Sequence, residues 1–202
     1  MTTATRPRPL RRSLLLAAGL LVVAGTVALA LTGGAQAEDD PPDPIDAELL
    51  TGPSTFTDDV AIQVREKPEG RSTEVVNLRD ASQIITAEVT IQPGAVFPWH
   101  THPGTALAIV AGNDAGGTAL EFMYDDCSTY SYGVGEAFVD PGFDNVHTAW
   151  NPSEAVTTVI VTFIGVTDLD PDIGLTLPID TGEAEALNEA CFDENDGFVP
   201  TP

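Results

Sequence analysis

The stretch Gly94–Gly112, GAVFPWHTHPGTALAIVAG, decides how the chain is read. It opens at a Pro-Gly turn, Pro93-Gly94, and closes on another breaker, Gly112-Asn113-Asp114. Between them stand His100-Thr101-His102 and the apolar run Ala106–Ala111. On a strand, residues two apart point to one face, so the imidazoles of His100 and His102 can meet a common ion. Neutral imidazole suits zinc, iron, copper and nickel. A His-x-His pair alone is weak evidence. The chain holds only three histidines, however, and the third, His147, follows 45 residues later. A close pair plus a distant third is how a β-barrel gathers ligands from neighbouring strands.

Outward from this stretch the texture is that of short strands. Ile85, Ala87, Val89 and Ile91 alternate with Thr86, Glu88 and Thr90, the period of a half-buried strand. Further strands are expected at Ala61–Arg65, Ala106–Ala111, Ala119–Tyr124, Ala137–Val139, His147–Trp150 and Val156–Ile164, separated by Gly, Pro and Asn breakers. The nearly continuous apolar run Val156–Ile164 reads as a strand covered on both faces, with no role in a site. Only Glu183–Ala190 reads as helical. This pattern predicts an all-β barrel or sandwich.

The segment 94–112 resembles the first cupin motif, in which Gly, His-x-His, Glu and Gly recur at set spacings. The segment 135–151, GEAFVDPGFDNVHTAWN, resembles the second, carried here by Gly135, Pro141, Gly142, His147 and Asn151. The likeness extends to about 58–166, and it implies a single-domain double-stranded β-helix, or jelly-roll barrel, like that of small secreted bacterial cupins. One departure matters: the Glu of the first motif falls at Ala106 or Leu107, neither of which can bind a metal. Carried over residue by residue, the resemblance leaves a three-histidine site of His100, His102 and His147 for a divalent transition metal (Fe, Zn, Mn, Ni or Cu). In ligand type this resembles the cysteine-dioxygenase-like and diketone-cleaving cupins. Without a carboxylate, the ion would keep its full charge and open positions for water, substrate or dioxygen.

Other residues are assigned by strand geometry. Trp99 and Trp150 point away from the histidines and should pack rather than line a pocket. Glu121, Tyr124 and Tyr130 could supply an acid, a base or a fourth ligand, or be ordinary strand residues. Asn151 should shape a turn.

The N-terminus carries Arg6, Arg8, Arg11 and Arg12, an apolar run Leu14–Leu31 and Ala35-Gln36-Ala37, the three parts of a secretory signal. The apolar run is long enough to be read alternatively as an uncleaved anchor. Arg11-Arg12 is either plain positive charge or a twin-arginine signal. Cleavage after Ala37 leaves Arg65, Lys67, Arg71 and Arg79 as the only basic side chains against 31 acidic ones, a net charge of −27. Such a surface excludes nucleic acid and anionic lipid as partners. The expected organisation is a signal peptide at 1–37, an acidic Pro-rich linker at 38–57, the barrel at 58–166 and a tail at 167–202. Export permits a disulfide between Cys127 and Cys191, tying the tail to the barrel. The functions left open are a secreted metal-dependent oxygenase or related enzyme acting on a small molecule, and a non-catalytic metal- or ligand-binding barrel. A homodimer is suggested by the resemblance alone.

Overall fold

The computed structural model describes residues 42–166, 174–192 and 199–200. The signal expected at 1–37 and parts of the tail, 167–173 and 193–198, lie outside the described residues. Twelve strands and one helix follow in chain order: β1 (Ile45–Thr55), β2 (Ile62–Glu66), β3 (Glu74–Leu78), β4 (Gln83–Ile91), β5 (His100–Thr101), β6 (Thr105–Gly112), β7 (Thr118–Tyr124), β8 (Thr129–Gly133), β9 (Ala137–Asp140), β10 (His147–Trp150), β11 (Thr157–Ile164), β12 (Leu177–Pro178) and α1 (Thr181–Cys191).

Strands β4 to β11 form two four-stranded antiparallel sheets, ordered β4-β11-β6-β9 and β5-β10-β7-β8. Counted one to eight, these orders are 1-8-3-6 and 2-7-4-5, the pattern of two Greek keys rolled into a jelly roll. The fold is therefore an all-β jelly roll, the architecture that the motif resemblance implies. Strand β1 extends the first sheet beside β4 and β12 extends the second beside β5, while β2 and β3 pair only with each other.

The alternation seen in the sequence sets the faces. On β4, Ile85, Ala87 and Ile91 are buried, and on β6 Ala106, Ala108 and Val110 are buried while Leu107 and Ile109 are exposed. Inward positions on neighbouring strands are often alanine: Ala87, Ala106, Ala108 and Ala149 all line a cavity of about 450 Å³ between the sheets. Larger aliphatic side chains there would fill it, since interiors otherwise pack to crystal-like density.

Two readings of the sequence need correction. Residues 38–57 are not simply a linker, because β1 occupies Ile45–Thr55 and pairs along β4, from Ile45 opposite Ile91 to Thr55 opposite Gln83. An edge strand is held by main-chain hydrogen bonds, and this one leaves almost every side chain exposed, so no alternation marks it. Strand β11 is not covered on both faces. Its Val159, Val161 and Phe163 line the cavity, whereas Thr158, Ile160 and Thr162 on the other face are only partly buried.

The tail is bound to the barrel. A disulfide joins Cys127, just after β7, to Cys191 at the end of α1, 64 residues apart. Asp180 caps α1 by accepting the Gly182 N–H at 2.9 Å. The helix lays Ala184 into a cluster with Trp99, Met123, Val146 and Trp150, and Asn188 accepts the Trp99 indole N–H at 2.8 Å. Both tryptophans pack on the outside of the site, as their strand faces require. No described helix is long and apolar enough to cross a membrane.

Candidate metal centre

Three strands and one turn bring the polar residues together. His100 on β5 pairs directly with His147 on β10. His102 follows β5 by one residue, just before a bend at Pro103-Gly104. All three rings are buried, at 3%, 9% and 2% exposure for His100, His102 and His147. Ring centroids of His100 and His147 are 4.2 Å apart, and those of His100 and His102 4.8 Å. One ring nitrogen from each lies within 4.8 Å of the others.

Hydrogen bonds fix which nitrogen faces the centre. His100 Nδ1 lies 2.7 Å from the Pro98 carbonyl oxygen, His102 Nδ1 2.5 Å from that of Leu175, and His147 Nδ1 3.2 Å from that of Asn145. A carbonyl oxygen can only accept, so each Nδ1 carries the proton and each Nε2 offers a lone pair. Fixing the tautomer through the outer nitrogen is how metal-binding histidines are oriented. Burial, reinforced by the His102 ring, drops the His147 pKa to about 3. Burial and then the His147 and His102 rings likewise push His100 well below the usual histidine range. Those two rings are therefore neutral, the form a metal requires.

A carboxylate that the sequence reading did not single out lies beside two of the histidines. Asp140, at the end of β9, places Oδ2 3.2 Å from His102 Nε2 and 3.4 Å from His147 Nε2. Its Oδ1 accepts the Gly142 N–H at 2.9 Å, while Oδ2 has no hydrogen-bond donor. The side chain is almost fully buried, and that burial lifts its pKa to about 6 against the opposing pull of His102 and the Gly142 N–H. The sequence hides Asp140, because it reads as the residue before a Pro-Gly turn. Its place follows from register: Ala106 on β6 pairs directly with Asp140 on β9.

The remaining wall is apolar. Phe97, Leu120, Phe122, Phe138, Val161 and Phe163 are among its residues, and Phe122 stacks on His147 at 4.6 Å. Among the described lining residues, Thr176 is the only polar side chain besides the histidines and Asp140, and none is Lys or Arg. None of Glu121, Tyr124 and Tyr130 lines the cavity. Glu121 accepts from Ser131 Oγ at 2.9 Å, and Tyr130 donates to the Glu69 carbonyl at 2.7 Å. The Tyr124 hydroxyl sits 3.5 Å from Glu66, with the Arg71 guanidinium over its ring at 3.7 Å. Asn151 is fully buried and shapes its turn, donating to the carbonyls of Ile91 and Ala155 and accepting from Ser153. The Leu175 carbonyl that orients His102 comes from the tail, and no sequence signal marks a main-chain atom.

The donor set fits a metal ion. One nitrogen from each histidine lies within 4.8 Å of the others, and Oδ2 stands beside two of them, so a cation, or a proton shared between His102 and Asp140, can relieve the repulsion among these groups. Two donors about 2.1 Å from one ion are separated by about 3.0 Å at a right angle and about 3.4 Å at the tetrahedral angle. The Nε2-to-Oδ2 spacings of 3.2 and 3.4 Å lie within that range.

No family model matches the chain, and no curated protein matches it. Solved structures do. The protein KdgF from a Halomonas species aligns over 62% of this chain and 84% of its own, at 18% identity and a TM-score of 0.39. A cupin-like protein from Thermotoga maritima aligns over 56% and 75%, at 18% identity and 0.37. A DMSP lyase, DddQ from Ruegeria pomeroyi, aligns over 43% and 41%, at 18% identity and 0.36, so the chain spans about two fifths of that lyase. Likenesses this distant carry no argument about chemistry, and the fold stands on its strand order.

Proposed function

We propose that this cupin-type barrel is exported, holds one divalent transition-metal ion on His100, His102 and His147, and presents it to a small, largely apolar molecule bound between the sheets. The observation that carries the reading is the tethering of all three Nδ1 atoms to main-chain carbonyls, which leaves the three Nε2 lone pairs free in a buried cluster whose ring nitrogens lie within 4.8 Å of one another. When bound, the ion would supply Lewis acidity and, for a redox metal, a place for dioxygen.

The chain's own residues define the rest. The apolar wall excludes water and would hold a hydrocarbon or aromatic body. The histidines and Asp140 form its one strongly polar end, so a ligand would carry a single metal-seeking group there. No Lys or Arg is among the described residues that line the cavity, which disfavours ligands with a second anionic group. The net charge of −27 after signal removal argues in the same direction. The Cys127–Cys191 disulfide suits the oxidising compartment to which the N-terminal signal would send the chain.

The test is elemental analysis of protein isolated from an exporting host, then oxygen uptake with small thiols, diketones and phenols. About one equivalent of transition metal per chain is expected, lost in His147→Ala. Metal content unchanged in that variant would overturn the site. Zinc with no oxygen uptake would refute an oxygenase and leave a lyase, an isomerase or a binding protein.

A further inference from the structure

The resembled first motif carries a carboxylate at the position of Ala106 or Leu107, and of the two Ala106 faces the interior while Leu107 is exposed. In the sheet, the residue directly opposite Ala106 is Asp140. Cross-strand partners share a face, with Cβ atoms about 5 Å apart. A side chain from either position therefore enters the same space. Here the space is filled from β9, by a carboxylate whose Oδ2 is buried, lacks a hydrogen-bond donor and stands 3.2 and 3.4 Å from two Nε2 atoms. Its other oxygen is held by the Gly142 N–H, and the turn carrying that N–H is bound to the His102 loop. Phe143 N–H donates to the His102 carbonyl at 2.7 Å, and Thr105 Oγ1 donates to the Pro141 carbonyl at 2.9 Å. The carboxylate is thus positioned by the segment that positions His102.

We propose that Asp140 is the fourth protein ligand of the ion on His100, His102 and His147, a carboxylate moved from the first motif's strand to the strand beside it. The proposal rests on the three-histidine reading above. Its consequences differ from those of a bare three-histidine site. The ion carries one compensating negative charge, binds more tightly and has one fewer open position. A buried carboxylate whose Oδ2 has no hydrogen-bond donor is unfavourable, so the ion also relieves a cost built into the barrel.

The experiment uses the mature chain and Co(II) as probe, read by the visible spectrum and by titration. Asp140→Asn keeps the shape of the side chain. Its amide oxygen can accept the Gly142 N–H while its NH2 group donates to the facing Nε2 lone pairs. The variant should therefore fold, melt no lower than the wild type without metal, and bind Co(II) at least about tenfold more weakly with an altered spectrum. Ala106→Glu combined with Asp140→Ala should restore most of the affinity by returning the carboxylate through the paired strand. Wild-type affinity and spectrum in Asp140→Asn, with binding lost in His147→Ala, would overturn the fourth ligand and leave the three-histidine site standing. Binding retained in His147→Ala would overturn both.

Discussion

Replacing Gly142 with Ala tests whether the turn after β9 is built around a close main-chain contact. Gly142 has φ of +70°, and a Cβ added there would lie 2.1 Å from the Gly104 carbonyl oxygen and 2.7 Å from its carbon. Two costs follow. The left-handed conformation disfavours Ala by about 1–2 kcal/mol. The contact cannot be relieved by rotating a side chain, because both obstructing atoms are main chain. One of the two loops must move, at a further cost of about 1–3 kcal/mol, typical of overpacking. Gly94 supplies the control, since its φ is +75° but nothing lies within 4 Å of an added Cβ. At about 2–4 °C per kcal/mol for a chain of this size, Gly142→Ala should melt roughly 4–20 °C below the wild type and Gly94→Ala only about 2–8 °C below it, a gap of about 2–12 °C set by the main-chain contact. Because the Gly142 N–H holds Asp140 and the neighbouring Phe143 N–H holds the His102 loop, Gly142→Ala should also weaken metal binding, whereas Gly94→Ala should not. Thermal melts of the metal-free proteins, followed by Co(II) titration, give both readouts. Equal melting of the two variants would refute the contact argument.

Two further predictions concern the periphery. Converting Cys127 and Cys191 to Ala opens a loop of 64 residues' separation and should cost up to roughly 4 kcal/mol, seen as a lower urea midpoint, with Co(II) affinity retained under native conditions. An unchanged midpoint would show that the linkage does not constrain the unfolded chain. Glu66 is half-buried, and that burial, with Glu74 and Asp140 nearby and against Arg71 and the Tyr124 hydroxyl, raises its pKa to about 7. The folded chain therefore keeps a proton that the unfolded chain releases between about pH 4.5 and 7, so stability falls as pH rises through that window. Glu66→Gln removes this fall; discounted for solvent screening at a half-exposed group, it should gain about 1 kcal/mol over the wild type at pH 8 and nothing at pH 4. Parallel denaturation curves at the two pH values check it, and an equal difference at both would contradict it.

What the sequence revealed, and what it hid, follows from where each residue sits. Strands β4, β6, β7, β10 and β11 lie inside the sheets, so burial imposes alternation or an apolar run on them, and they stand out. Strand β1 lies on an edge, β8 reads Thr-Tyr-Ser-Tyr-Gly with little contrast between faces, and β5 and β12 are two residues each; pairing makes them strands, and composition does not show it. The histidines were legible because they are scarce and match two spaced motifs. Asp140 was not, because a cross-strand register brings it beside Ala106 and no spacing along the chain encodes that. The Leu175 carbonyl is further out of reach, being a main-chain atom in a segment whose position is decided by pairing with β5.

The central claim is that three imidazole nitrogens share one ion inside the barrel. A crystal of the metal-loaded mature protein, measured on both sides of the metal's absorption edge, tests it directly. The account predicts one anomalous peak per chain, about 2.1 Å from Nε2 of His100, His102 and His147. A peak among surface carboxylates, or none between the sheets, would contradict it.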